Sequence, residues 1–137
     1  MRFTKSSKTA AVLAAVALTV AACGGEEATS DPLKLGYLLP ETGQLAFLGP
    51  PMISGVQMAV QEINDAGGLL GSPIEITSAD EAGDAGRAAE EGNRLLAAGV
   101  QAIVGAASTS MTLSVIDAVT SAGVVQCSPS NTGIGLT

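Results

Sequence analysis

The chain has 137 residues and a formal net charge of −7, which is enough length for one domain but short for two. Its 13 acidic residues against 6 basic ones argue against a nucleic-acid partner and against electrostatic docking onto anionic lipid. Because the sequence contains no histidine, imidazole is unavailable as a general base or a metal ligand. The glycine-rich nucleotide-binding motifs and the G-x-S-x-G motif of many hydrolases are also absent, so no enzyme, cofactor or metal site is predicted.

The first 23 residues have the order of a secretory signal. Three basic residues are followed by an uncharged, mostly apolar stretch at residues 10–20, and two alanines then precede Cys23. The stretch is 11 residues long, against the ~20 that a helix needs to cross a bilayer, so a permanent anchor is not predicted. A cysteine in this position resembles the lipobox of bacterial lipoproteins, in which the thiol receives a diacylglycerol and the chain is cut just before it. The alternative is an ordinary signal peptide with a cysteine at the cut site by chance.

The lipobox resemblance implies three segments. Residues 1–22 would be the lipoprotein signal peptide, Cys23 the lipidation site, and residues 23–32 a small, polar and acidic tether. Because two or more acyl chains hold a protein stably on a membrane, residues 33–137 are expected to form an extracytoplasmic domain, lipid-anchored to the bacterial cell membrane. The second cysteine, Cys127, then has no partner in the chain and, at the end of an apolar run, is predicted to be a small buried hydrophobic residue.

After the tether, short apolar runs alternate with stretches of helical periodicity. The runs predict strands at residues 33–39, 73–78, 101–105 and 124–127. Helices are predicted at residues 51–66, from an Asp84 cap to residue 98, and from residue 109 or 110 to residue 122. A glycine follows each helix or lies just beyond it, as is typical of a helix end.

Alternation of strands and helices with short glycine-rich joints predicts parallel strands joined by right-handed crossovers. Nearly continuous apolar strands favour a doubly wound α/β fold with three layers, α/β/α, because helices then cover both faces of the sheet. We expect the strand order 2-1-3-4, which reverses between strands 1 and 3 and opens a crevice at their carboxyl ends. Residues 40–49, 106–110 and 128–132 should border this crevice.

Residues 106–110 have the composition of an anion-binding site. Two alanines let a ligand approach the backbone, and Ser108, Thr109 and Ser110 lie at a predicted helix start, where free N–H groups and the helix dipole favour negative charge. A carboxylate could be held there without lysine or arginine. The alternative is that the hydroxyl groups only cap the helix. The position beside the crevice favours ligand binding.

Residues 128–133 form a second polar loop on the same edge of the sheet. Their hydroxyl and carbonyl oxygens can accept hydrogen bonds from an ammonium group. Because serine, proline, asparagine and glycine are common in turns, an ordinary turn is favoured for this loop when it is taken alone.

Five acidic residues near the second predicted helix are expected to face solvent. Asp80, Glu81 and Asp84 precede the helix, where carboxylates interact favourably with the helix dipole. The alternative for these three residues is a divalent cation site, which is the less favoured interpretation. Glu90 and Glu91 are interpreted as a solvated pair of charges.

Two segments carry a family resemblance. Residues 35–43 read LGYLLPETG, and residues 55–71 read GVQMAVQEINDAGGLLG, an amphipathic helix with a glycine-rich end. With residues 84–105 and 128–132, they resemble the type I periplasmic binding proteins, which are leucine/isoleucine/valine-type solute receptors of ABC importers. The resemblance covers residues 33–137, and a lipobox suits this family.

The resemblance implies a receptor of two α/β lobes that closes over an amino acid or similar small solute and works with the permease and ATPase subunits of an importer. It assigns contacts with the solute carboxylate to Ser108, Thr109 and Ser110, contacts with the ammonium group to Ser130 and Thr132, and contacts with the solute side chain to Phe47 and Leu48.

The chain ends after the fourth predicted strand, so the resemblance implies the N-terminal part of the first lobe. Three functions are compatible with these features. The first is a solute-binding lipoprotein of an ABC import system for amino acids or related carboxylate or amide solutes. The second is a sensory or structural lipoprotein that uses the same lobe, and the third is a truncated remnant without function.

Overall fold

The computed structural model of the protein describes residues 31–136. It contains strands β1 (Leu33–Leu39), β2 (Ile74–Asp80), β3 (Ala102–Gly105) and β4 (Val125–Cys127), helices α1 (Gly49–Asp65), α2 (Ala85–Ala97) and α3 (Thr109–Ser121), and a short 3-10 helix (Ile134–Leu136). The predicted signal peptide, the lipidation site Cys23 and most of the tether lie outside the described residues. In residues 31–136, no helix is both long enough and apolar enough to span a bilayer.

All the predicted strands and helices are present, and their ends lie within two residues of the prediction. Helix α1 begins at Gly49, two residues earlier than predicted, because prolines fit the first turn, where an N–H group has no intrahelical acceptor. Asp84 caps α2 as predicted, since its side chain accepts the Arg87 N–H at 2.7 Å.

The four strands form one parallel sheet in the order β2-β1-β3-β4. This confirms the predicted doubly wound α/β fold and its order reversal between β1 and β3. In the centre of the sheet, Leu35 lies level with Ile76 of β2 and with Ala102 of β3. Because the strands run in one direction, the loops that follow them all emerge at a single edge.

One face of the sheet, here called the closed face, is covered by α2 and α3. These two helices pack against each other as well as against the strands. The core on this side consists of side chains with little or no exposure: Leu38, Ala79, Ala88, Leu95, Val100, Ile103, Ala106, Met111, Val115 and Val119. Most of the buried apolar side chains of the described residues therefore lie on the closed face.

The opposite face, here called the open face, carries α1 alone among the helices of residues 31–136. Its fully buried cluster is small and consists of Tyr37, Leu39 and Ala107, with half-buried side chains of α1 packed around it. Ile63, near the end of α1, is 39% exposed. An apolar hollow of about 400 Å³ lies beside α1 and is lined by residues such as Leu33, Leu35, Met52 and Val104.

Strand β4 is bare on the open face. Val125 is 68% exposed and Cys127 is exposed, whereas the Gln126 side chain between them donates to the Gly105 carbonyl at 2.9 Å. The prediction that Cys127 is buried is therefore wrong. An apolar run identifies a strand, but it does not show whether a helix covers both sides of that strand.

Two arginines neutralise an acidic residue buried on α2. The carboxylate of Glu91, which is 6% exposed, lies 2.9 Å from Arg87 and 2.6 Å from Arg94. Glu90 is exposed and lies 3.5 Å from Arg87. The prediction that both glutamates are solvated is therefore right for Glu90 and wrong for Glu91. The sequence pattern does not show which face of the helix is buried or which carboxylate the arginines contact.

Candidate functional site

Two polar loops meet at the carboxyl edge of the sheet, beside the order reversal. They are the β3 loop, residues 106–108, which leads into α3, and the β4 loop, residues 128–133. The Ser128 hydroxyl donates to the Ala106 carbonyl at 2.7 Å. The Ser130 hydroxyl donates to the Ala107 carbonyl at 2.6 Å. The β4 loop is thus fastened to two successive carbonyl groups of the β3 loop.

Thr109, the first residue of α3, makes a second connection to the β4 loop. Its Oγ1 accepts the N–H groups of Thr132 at 3.3 Å and of Gly133 at 3.0 Å. Only glycine permits this approach, because a Cβ atom at position 133 would overlap the Thr109 side chain. The two loops and the start of α3 therefore form one hydrogen-bonded unit.

The start of α3 presents hydrogen-bond donors. Ser108 caps the helix through a long hydrogen bond of 3.4 Å from the Met111 N–H, and its Oγ lies 3.3 Å from Ser110 Oγ. The N–H groups of Thr109 and Ser110 belong to the first turn, which has no intrahelical acceptors. Ser108 therefore does cap the helix, and the donors around it remain suitable for an anion.

Phe47 and Leu48 lie on a third loop, residues 40–48, which connects β1 to α1. Phe47 is 72% exposed, and Leu48 is half-buried at the start of α1. In the described part of the chain, no hydrogen bond joins this loop to the two polar loops. The structure therefore brings together five of the seven predicted contact residues, namely Ser108, Thr109, Ser110, Ser130 and Thr132, and leaves Phe47 and Leu48 on a separate loop.

Asp80 fastens the loop between β1 and α1 to the end of β2. Its carboxylate accepts the N–H groups of Glu41 at 2.9 Å, Thr42 at 3.1 Å and Ala82 at 2.9 Å. It also accepts the Thr42 hydroxyl. Burial by itself raises the pKa of Asp80, but these hydrogen bonds together lower the pKa below its ordinary value of 3.8. Asp80 thus acts as an anchor for the loop rather than as a solvated charge.

Glu81, the next residue, is fully buried, so the prediction that it faces solvent is wrong. Its Oε2 accepts the Ala107 N–H at 2.8 Å, which means that the side chain turns inward towards the β3 loop. Burial raises the pKa of Glu81, the backbone amides of Ala107 and Ser108 oppose this rise, and the charge of Asp80 adds to it. In the sequence, the only signal that could have indicated this role of Glu81 is its position at a strand end beside the predicted crevice.

Two further polar side chains support the loops and were not predicted. Asn131 Nδ2 donates to Thr112 Oγ1 at 2.8 Å, and Thr112 Oγ1 donates to the Ala106 carbonyl at 3.3 Å. Thr112 is 4% exposed, one turn into α3.

A glycine at the end of β3 also supports the loops. Gly105 has φ +126, and a Cβ atom there would overlap the Leu38 carbonyl. A buried threonine near a helix start and a glycine at a strand end are the signals that could have revealed this support.

The assembled site offers neutral hydrogen-bonding groups. Donors lie at the start of α3, where the helix dipole favours negative charge, and serine oxygens of the β4 loop lie directly beside them. In residues 31–136, no group of three or more cysteine, aspartate or glutamate residues is arranged to hold a metal ion. The arrangement suits a small ligand that has an anionic end and a hydrogen-bond donor close to it.

Known proteins match the sequence. The profile of the periplasmic binding protein family matches residues 32–136. The Leu/Ile/Val-binding protein homolog 3 of Brucella melitensis is 31% identical over 117 residues, covering 85% of this chain and 32% of the relative. The leucine-, isoleucine-, valine-, threonine- and alanine-binding protein of Pseudomonas aeruginosa is 31% identical over 121 residues, covering 88% of this chain and 32% of the relative.

The structure also matches a solved relative. The branched-chain amino acid transporter substrate-binding protein LivJ of Streptococcus pneumoniae, crystallised with isoleucine, has a TM-score of 0.74 and 37% identity. The match covers 77% of this chain and 31% of that protein. The chain thus spans about a third of the length of these relatives. Because the family profile matches almost all of the described residues and the fold agrees, the chain belongs to the type I periplasmic binding proteins.

Proposed function

We propose that this chain carries the first-lobe part of an amino-acid binding site in an extracytoplasmic solute-binding protein of an ABC importer. The observation that carries the proposal is the hydrogen-bonded unit of the β3 loop, the β4 loop and the start of α3, which places donors and acceptors side by side at the crevice. Relatives whose names specify leucine, isoleucine and valine support an amino acid as the solute.

The solute carboxylate would bind at the start of α3. The first-turn N–H groups of Thr109 and Ser110 supply donors, and the hydroxyls of Ser108, Thr109 and Ser110 supply more. Thr109 Oγ1 already accepts two backbone N–H groups, so its hydroxyl proton is the part that remains for the solute. Hydrogen bonds to a charged group are stronger than neutral ones, which compensates for the lack of a lysine or arginine here.

The solute ammonium group would bind on the β4 loop. The Ser130 hydroxyl donates its proton to the Ala107 carbonyl, so its oxygen is left as an acceptor for an N–H of the solute. The exposed Thr132 lies two residues further along the same loop. The exposed Phe47 ring and Leu48 are available to contact an apolar solute side chain from the neighbouring loop.

A lipid on Cys23 would hold the receptor at the membrane, beside the permease and ATPase subunits of the importer. The order of basic, apolar and small residues before Cys23 supports this part of the proposal. Cys23→Ser should abolish acylation, because only the thiol accepts the diacylglycerol. Mass spectrometry and detergent partitioning of the two chains test it, and identical behaviour apart from the one-atom mass difference would refute lipidation.

Solute binding is best tested in this chain extended by the rest of the S. pneumoniae relative, which supplies the remainder of the first lobe and the second lobe, with isoleucine as the probe. Thr109→Ala together with Ser110→Ala removes two hydroxyl donors and also the Thr109 oxygen that accepts the N–H groups of Thr132 and Gly133. Because hydrogen bonds to a charged group contribute ~1.5–3 kcal/mol each, isoleucine affinity measured by calorimetry should fall at least about tenfold.

Helix α3 offers a matched control at its other end. Thr120→Ala with Ser121→Ala removes the same two hydroxyl groups from exposed positions far from the crevice. This control should leave isoleucine affinity unchanged. Equal affinities of the two double variants, with both folded by circular dichroism, would place the solute elsewhere.

A further inference from the structure

A buried carboxylate lies behind the proposed binding site without contributing to the solute contacts described above. Glu81 is fully buried at the end of β2. Its backbone N–H donates to the Leu39 carbonyl at 3.3 Å, which fixes its position against the end of β1. Its side chain reaches the β3 loop, although β1 lies between β2 and β3 in the sheet.

Burying this carboxylate is unfavourable unless hydrogen bonds compensate for its lost hydration. Removing a charged group from water remains costly even after the protein relaxes around it. Oε2 of Glu81 has the Ala107 N–H as its partner, while Oε1 has no partner among the described residues. An apolar residue of similar volume would fill the space without this cost, so packing alone does not account for a carboxylate here.

The partner of Glu81 is the residue on which the two polar loops converge. The Ala107 N–H donates to Glu81 Oε2 at 2.8 Å, and the Ala107 carbonyl accepts the Ser130 hydroxyl at 2.6 Å. Ala107 itself is 2% exposed. Ser108 follows directly and begins the donor-rich start of α3. Both backbone groups of Ala107 are thus fixed, one from each side of the crevice.

We propose that Glu81 is a positioning residue of the solute site: by holding the Ala107 N–H, it sets the orientation of the β3 loop and hence of the donors at Ser108 to Ser110 and the hydroxyl of Ser130. This inference rests on the proposed function for its consequence in binding, but the anchoring itself can be measured without a solute. Glu81 is fully buried and acts through the backbone amides of Ala107 and Ser108 rather than by direct contact with the solute.

The anchoring is tested by amide hydrogen exchange, followed by NMR, in the unliganded chain. Glu81→Leu keeps the apolar volume but removes the acceptor, and Glu81→Gln keeps an acceptor oxygen. In the Leu variant the Ala107 amide should exchange at least about tenfold faster, while amides of α2 keep their rates. The Gln variant should restore slow exchange. Unchanged Ala107 exchange in the Leu variant, or an equal loss at every amide, would overturn the proposal.

If the Leu variant fails to fold, the Gln variant decides the question. A neutral amide oxygen is a weaker acceptor than a carboxylate. The Ala107 amide proton should therefore move upfield in Glu81→Gln, while the α2 amides stay in place. An Ala107 resonance that does not move would overturn the proposal as well.

The consequence for binding is tested in the two-lobed chain with isoleucine. Glu81→Leu should lower the affinity at least about tenfold without lowering the melting temperature, and Glu81→Gln should stay within about twofold of the wild type. Unchanged affinity in the Leu variant would overturn the positioning role. If the wild type itself does not bind isoleucine, the proposed function fails, and the exchange result at Ala107 still shows separately whether Glu81 anchors the loop.

Discussion

The two faces of the sheet are covered to different extents, and the difference shows which parts of the site are held firmly. The closed face has two helices and a continuous buried core, whereas the open face has α1, a small cluster and an apolar hollow. The β3 loop and the start of α3 connect to the closed face through Ala106 and Met111. Phe47, in contrast, lies on the loop that leads to the open face.

This comparison predicts that the parts of the proposed site differ in rigidity. The donors and acceptors proposed for the charged ends of a solute lie on loops that contact the core of the closed face through Ala106 and Met111. The residues proposed for the solute side chain lie on a loop that is exposed at its tip and held mainly by Asp80. Local opening is easiest where few apolar contacts are buried, so we expect the first part to be rigid and the second to adapt.

The largest expected difference between the faces is energetic and can be measured within one strand. Leu38 and Leu35 lie three residues apart in β1, and their side chains point to the closed and open faces respectively. Leu38→Ala should cost ~2–5 kcal/mol in the free energy of unfolding, because Leu38 is fully buried in a packed core. Leu35→Ala should cost less than half as much. Urea denaturation of both variants measures these values.

The same residue types in the same strand make this pair a matched test. Equal losses of stability for Leu38→Ala and Leu35→Ala would mean that the open face is as well packed in solution as the closed face. That outcome would contradict the comparison. A change in the urea dependence of the unfolding free energy, rather than in its midpoint alone, would indicate that the denatured state had changed instead.

The elements and topology were predictable because they depend on local patterns. Apolar runs, helical periodicity and glycine stops define each strand and helix, and the alternation of the two fixes parallel strands. The burial of Glu81 and the exposure of Cys127 were not predictable, because both depend on which elements lie opposite each residue in the fold. The carbonyl and amide partners of Ser130 and Thr109 are long-range contacts of the same kind.

Two adjacent carboxylates provide the second prediction, because each fastens a loop that leads to a different face. Asp80 holds the loop into α1, and its pKa is lowered in the folded chain, so its contribution is present at neutral pH. Asp80→Asn should cost ~1–3 kcal/mol at pH 7, the cost of weakening hydrogen bonds to a charged group. This difference from the wild type should shrink as the pH falls below 3.8 through the folded pKa of Asp80.

Glu81 should give the opposite dependence on pH. Because burial raises the pKa of Glu81, protonation favours the folded chain, and the wild type should gain stability as the pH falls through that raised pKa towards 4.5. Glu81→Gln lacks this gain, so its stability should be flatter over the same pH range. Parallel pH profiles for the wild type and both variants, recorded by thermal denaturation, would contradict these assignments.

The smallest expected effect is the protection of the Cys127 thiol, which reports directly on the open face. In a chain with Cys23→Ser, Cys127 is the only cysteine. Its reaction with a thiol reagent should be nearly as fast in the folded chain as in urea, within about threefold, because an exposed thiol is slowed only by its local surroundings. The matched control is Val119→Cys on the closed face, in a chain that carries both Cys23→Ser and Cys127→Ser. Val119 is fully buried in α3, so this thiol should react only when the structure opens, and it should react at least about a hundredfold more slowly than Cys127.

Slow labelling of Cys127 in the folded chain would mean that something covers the exposed side of β4 in solution. If that protection disappeared on dilution, a second copy of the chain would be the cover, and the difference between the two faces would belong to the single chain alone.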